Sequence, residues 1–259
     1  MKQLILGTLL AAVAAPAAAQ ETDCQTYIGR TLAPLEFSEV LSSLEGEEPK
    51  GAYETSEAYE RRLAEASNRA NVGPVVLRKR WSSPRPFYNA DKGKIPFTAD
   101  NFGKRDRSFR SLFRAELRGA KRPLGFVIGR ETLRESTREA TNGFGAKVTV
   151  EQTYENLFAI WEKPIDYDES PFKETRRRSY RPIDFEVGPD SARDIIEHGS
   201  AAFLFAPTAP FVSEGTNATE ATFRRPMETF SKVTVLHGDV HCAFVLDSAD
   251  TVRLALTVR

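Results

Sequence analysis

Apolar residues recur at helical spacing near the start of the chain. After Pro34, Leu35, Val40, Leu41 and Leu44 fall on one side and Gly46 stops the run, which predicts a short amphipathic helix within Thr31 to Gly46. A polar, turn-rich stretch from Glu47 to Tyr53 follows. Thr55 or Ser56 then caps a second helix reaching about Asn71, with Tyr59, Leu63 and Ala66 on its inner face. Glu57 sits in the first turn, where the helix dipole favours an anion, and Gly73-Pro74 end the run.

From Val75 the period shortens to two. Val75 to Leu77 lead into Trp81; Phe87 and Tyr88 enter a turn at Asn89 to Gly93, and Ile95 and Phe97 leave it. That pattern predicts a hairpin with Pro96 on a sheet edge. Gly143 and Gly145 flank Phe144 ahead of an alternating strand, with Val148 and Val150 facing one way and Lys147, Thr149 and Glu151 the other. Further strands are predicted at Leu124 to Ile128, Leu157 to Trp161, Ile183 to Val187 and Ala201 to Phe205. The last three run over Lys232 to Leu236, Val240 to Leu246 and Val252 to Val258, with turns at Gly238-Asp239 and Ser248 to Asp250. Pro207 to Glu220 reads as an exposed loop, and Pro189 opens a short helix that Gly199 stops. The expected fold is α+β: a mainly antiparallel β-sheet with a few short helices. It divides into two packed β-rich halves, 20–163 and 183–259, joined by a linker or long loop at 164–182 whose first part, Pro164 to Pro171, is acidic and proline-bounded.

The first residues have a different character. Lys2 precedes an apolar run from Leu4 to Ala15, and Ala17 to Ala19 fit a signal-peptidase site, so residues 1–19 are expected to be an export signal. The run is too short to anchor in a bilayer, and no other stretch approaches membrane length. The expected location is the periplasm. Lys2 is the one charge in that segment, so 36 basic and 36 acidic residues become 35 and 36, a net charge of −1. No low complexity and no internal repeat is evident. In an oxidising compartment the two cysteines, Cys24 and Cys242, are expected to pair; the alternative is a buried, unpaired Cys242 and an exposed Cys24.

Three segments carry a resemblance: Lys50-Gly-Ala-Tyr-Glu-Thr, Tyr88-Asn-Ala-Asp-Lys and Asn142-Gly-Phe-Gly-Ala-Lys-Val. Together they resemble an uncharacterised family of exported bacterial proteins with KGEFET-like, YDADK-like and NAFGA-like segments. This chain departs from that pattern at Ala52, Tyr53 and Asn89. The resemblance implies an architecture and supplies no reaction.

Between Lys104 and Arg138 basic residues far outnumber acidic ones, and Phe109, Leu112, Phe113 and Leu117 fit one face of a helix. Arg107, Arg110, Arg114, Arg118, Lys121 and Arg122 would then form an outer basic face suited to an anionic lipid headgroup or an acidic envelope protein. The bland reading is a solvated face. A nucleic-acid partner does not suit an exported chain. His237, Asp239 and His241 stand at i, i+2 and i+4, so a continuous strand would turn all three to one side as metal ligands, whereas a hairpin turn would scatter them. The Gly-Asp-Val-His string resembles a metallophosphoesterase motif, but His198 is the one other histidine and cannot supply the remaining ligand motifs. The chain has no G-x-S-x-G, H-E-x-x-H, C-x-x-C or P-loop, and Gly143-x-Gly145 precedes a strand rather than a helix. Asp166, Asp168 and Glu169 are read as surface acids. The sequence therefore predicts a non-catalytic exported binding or interaction protein with no cofactor. A metal-dependent envelope hydrolase built on residues 237–241 is the alternative.

Overall fold

The computed structural model describes residues 23–44, 46–81, 85–106, 124–141, 144–162 and 182–257. Two long hairpins organise it. Strands β4 (Leu124–Thr141) and β5 (Lys147–Glu162) form the first; β7 (Ser200–Thr219) and β8 (Met227–Leu246) form the second. β5 runs parallel to β8, from Glu151↔Met227 to Trp161↔His237, which puts both hairpin turns at the same end. β1 (Val75–Arg80) pairs with the first six residues of β7, β3 (Lys104–Asp106) with the start of β4, and β9 (Val252–Thr257) with the end of β8. The main sheet runs β1-β7-β8-β5-β4-β3. Strands from both sides of residues 164–182 thus share one sheet, with β7 and β8 lying between β1 and β5.

Strands of 18 to 20 residues are several times the usual length, and their turn-side ends run beyond the packed body. Between Arg130 and Thr141 Ser136 and Ala140 are partly covered, and the other side chains are exposed. The inner halves carry the core. Leu77, Ile160, Phe203, Phe205, Leu236 and Val245 pack on one face under α1 (Phe37–Ser42), α4 (Pro189–Glu197) and a small two-stranded sheet. That small sheet pairs β2 (Lys94–Phe97) with β6 (Ile183–Glu186), and Pro96 lies in it, where every strand is an edge. The expected hairpin survives only as the turn at 89–93 with an Asn89–Lys94 bridge, because the partner of β2 is β6. On the opposite face Ala202, Leu204, Phe244 and Val252 pack around Cys242 and Cys24, which are joined by a disulfide. That bond ties the N-terminal 3-10 turn Cys24–Tyr27 onto the sheet.

Helix α2 (Ser56–Ala70) has the ends its sequence implies: Thr55 accepts from the Ala58 amide, and Asn71 closes it in the left-handed conformation. α3 is the four-residue Ala99–Phe102. Two further sequence expectations are corrected. Gly238-Asp239 is not a turn, since β8 passes straight through it. A Cβ on Gly238 would lie 2.5 Å from the Phe205 ring and 2.4 Å from the Ala206 carbonyl oxygen, so the glycine admits a crossing aromatic rather than a bend. Pro207 to Glu220 is not a free loop either. β7 continues to Thr219, and its prolines sit at a break where the register jumps from Pro207↔Gly238 to Val212↔Leu236. The predicted helix over Phe109 to Leu117 lies outside the described residues.

Candidate functional site

The main sheet curls until its two sides approach, with Cα atoms of β1 and β4 within 8 Å. Helix α1 sits against this seam. Its capping box fixes the entry: the Glu36 amide donates to the Glu39 carboxylate at 2.7 Å. The preceding residue joins the edge of β1, Leu35 donating to Val76 O and accepting from the Arg78 amide, both at 2.8 Å. The Phe37 and Phe158 rings lie 5.1 Å apart on the floor of the seam.

Two cavities open here. One of about 380 Å³ is lined by Phe37, Leu41, Ile128 and Phe158, with Glu36 and Arg130 at its rim. A neighbour of about 290 Å³ is lined by Arg85, Glu197, His198 and Ser200. Arg78, Arg80 and Trp81 line both. Alternation along β1 explains the arrangement: Arg78 and Arg80 share one side, while Lys79 turns into the core with 2% exposure. Lys79 donates to the Asn101 carbonyl at 2.9 Å, and burial pushes its pKa down to about 8. Trp81 is fixed by donating from Nε1 to the Ile195 carbonyl at 2.8 Å.

The arginines are not equivalent. Arg78 forks onto Asp250 at 2.8 and 2.9 Å, and that hydrogen-bonded carboxylate raises its pKa further. It is a structural clamp between β1 and the β8–β9 turn. Arg80 is 79% exposed and touches Glu36 at 2.8 Å; Arg130 is 56% exposed and lies 3.3 Å from Glu155. The Arg80–Glu36 pair is exposed on both sides and weak, whereas Arg130 holds a carboxylate that is itself buried at 3% exposure. An aromatic and aliphatic floor under exposed guanidinium heads suits a ligand with an anionic group attached to an apolar body. Serine and histidine both line the second cavity, but no hydrogen bond between His198 and Ser200 joins them as base and nucleophile.

Of the residues singled out in the sequence, Cys24 and Cys242 are brought together as a bond. His237, Asp239 and His241 do lie on one continuous strand. However, the β7 register passes from Leu204↔Cys242 to Phe205↔Val240, leaving His241 as an unmatched bulge residue. The alternation reverses there: Leu236 and Val240 share the face of Ala243 and Val245. His237 is buried with Nε2 2.8 Å from the Ser213 hydroxyl, and burial pushes its pKa down to about 4. Among the described residues no three His, Cys, Asp or Glu side chains are placed to hold a metal. The basic set from Arg107 to Arg122, the acids Asp166, Asp168 and Glu169, and the export segment lie outside the described residues. Among the described residues no helix is long and apolar enough to cross a membrane. The seam itself was missed in the sequence, although Arg78-Lys79-Arg80-Trp81 gives a signal: cations alternating in a strand that ends on tryptophan.

No family model, curated protein or solved structure matches the chain. The functional reading therefore rests on the geometry.

Proposed function

We propose that the protein is an exported, non-catalytic binding module for an anionic, partly apolar component of the cell envelope, held in the seam between β1 and β4. The observation that carries this reading is the pair of adjoining cavities sharing Arg78, Arg80 and Trp81 over an apolar floor. Arg80 and Arg130 would take the anionic group by charge-assisted hydrogen bonds, leaving the apolar part against Phe37, Leu41 and Phe158. Export is supported by the pattern of residues 1–19 and by the Cys24–Cys242 bond, which suits an oxidising compartment. A phospholipid headgroup with the start of its acyl chains meets both chemical requirements.

Co-sedimentation with phosphatidylglycerol vesicles tests the proposal. Binding should be strong at low salt and fall steeply as salt screens the arginines. The double substitution Arg80→Ala with Arg130→Ala should weaken it by roughly tenfold per arginine, while phosphatidylcholine vesicles should not bind. Binding that survives the double substitution unchanged places the ligand elsewhere.

A further inference from the structure

Beyond the seam, β4 carries an edge that no strand covers among the described residues. On one side it pairs with β5 along its length, and on the other with β3 only at Gly125, Phe126 and Val127. From Ile128 to Thr141 that outer side has no strand partner among the described residues. The sequence along it repeats every four residues: Arg130-Glu-Thr-Leu, Arg134-Glu-Ser-Thr, Arg138-Glu-Ala-Thr. Charges on an edge usually keep other strands away. They do so only against a partner with the wrong order of charges.

In a regular strand this repeat would oppose itself. All three arginines would share one face and all three glutamates the other, so antiparallel pairing with a second copy would set like against like. A bulge at Leu133 changes this. Thr132↔Glu155 is followed by Arg134↔Tyr154, so the alternation reverses within the repeat. The side-chain contacts record the reversal. Arg130 reaches Glu155 on one face. Glu131 accepts from Asn156, Arg134 stacks over Tyr154 and Ser136 meets Gln152 on the other face. Arg138 lies on that second face too, paired with Glu228.

We infer that this edge pairs with the same edge of a second copy of the chain, antiparallel about a two-fold axis at Glu135. In that register the bulges fall in matching places. Arg138 lies opposite Glu131 of the second copy, and Arg130 opposite its Glu139; symmetry doubles both pairs. Thr132 meets Thr137, and Leu133, 57% exposed in the single chain, lies within the paired stretch. The one like-charge contact is Glu135 against its own copy on the axis. This association is carried by the strand's edge; it shares Arg130 with the seam, whereas Glu131, Glu135 and Glu139 do not line it.

Sedimentation velocity on the intact protein tests it. A monomer–dimer equilibrium is expected at low salt, shifting to monomer as salt rises. Glu131→Arg and Glu139→Arg each turn two attractive contacts repulsive and should weaken the dimer by about tenfold or more. Glu135→Gln removes the axial repulsion and should tighten it several-fold. Arg138→Glu should also be monomeric alone, yet form a heterodimer when mixed with Glu131→Arg, because the charges become complementary again. If Arg138→Glu does not fold for want of its Glu228 contact, the three glutamate variants still decide the matter. A wild-type protein that stays monomeric at its highest soluble concentration overturns the inference. So does dimerisation that Glu131→Arg and Glu139→Arg leave unchanged.

Discussion

His237 shows how burial alone sets the behaviour of a titratable residue. It lies inside the sheet on Ser213, and desolvation holds its folded pKa at about 4, below the ordinary 6.5. The unfolded chain therefore binds more protons between those two values. The stabilising effect is complete above pH 6.5 and is lost as pH falls through 6.5 towards 4, amounting to about 3 kcal/mol. His237→Gln should make stability less sensitive to pH in that window, as read by urea midpoints at pH 7 and pH 4. An identical pH dependence in the variant would show that His237 is not the group responsible. Two and four residues on, Asp239 and His241 do not join it as a metal site, because the bulge at His241 breaks the alternation that the sequence spacing assumes. Register is a property of the neighbouring strand, so it could not be read from residues 237–241 alone. Gly238 posed a similar ambiguity: a glycine beside an aspartate favours a turn, and only the Phe205 ring lying against it shows why a straight strand needs it.

Elements with local signals were legible in advance. The Thr55 cap, the Asn71 terminus and the Pro189 start define α2 and α4 without reference to the rest of the fold. The disulfide followed from two cysteines in a chain expected to be exported. The long strands were not legible, for a physical reason. Alternation appears where one face is buried and the other wet, whereas Arg130 to Thr141 is wet on both faces and carries no apolar period. Its four-residue charge period is also too short to register as a domain-scale repeat. Prolines 207 and 210 suggested a loop because a break opposite His237, which begins after Pro207 and leaves Pro210 without a ladder partner, cannot be foreseen from sequence. The seam depends on residues far apart in the chain, Phe37, Trp81, Arg130 and Phe158, and only sheet curvature brings them together.

At the scale of the whole molecule, one covalent tie and one open seam stand out. The Cys24–Cys242 bond spans 218 residues and pins the first turn against Phe244, with the Tyr27 ring tilted against that ring at 5.3 Å. Replacing both cysteines by serine should lower stability by up to about 5 kcal/mol, the chain-entropy value for so long a loop. Denaturant midpoints of the variant and the wild type measure it. A loss under about 1 kcal/mol would mean the turn holds through packing alone. The seam is where the curled sheet leaves an apolar floor beside exposed guanidinium groups, and ligand binding there is the claim on which the functional reading depends. Trp81 lies on its wall and, in a Trp161→Phe background, is the one indole in the chain. The most direct test is therefore its fluorescence during titration with a short-chain phosphatidylglycerol at low salt. A saturable change that disappears when Arg80 and Arg130 are replaced by alanine is the expected result. A flat titration, or a change that persists without those arginines, would contradict it.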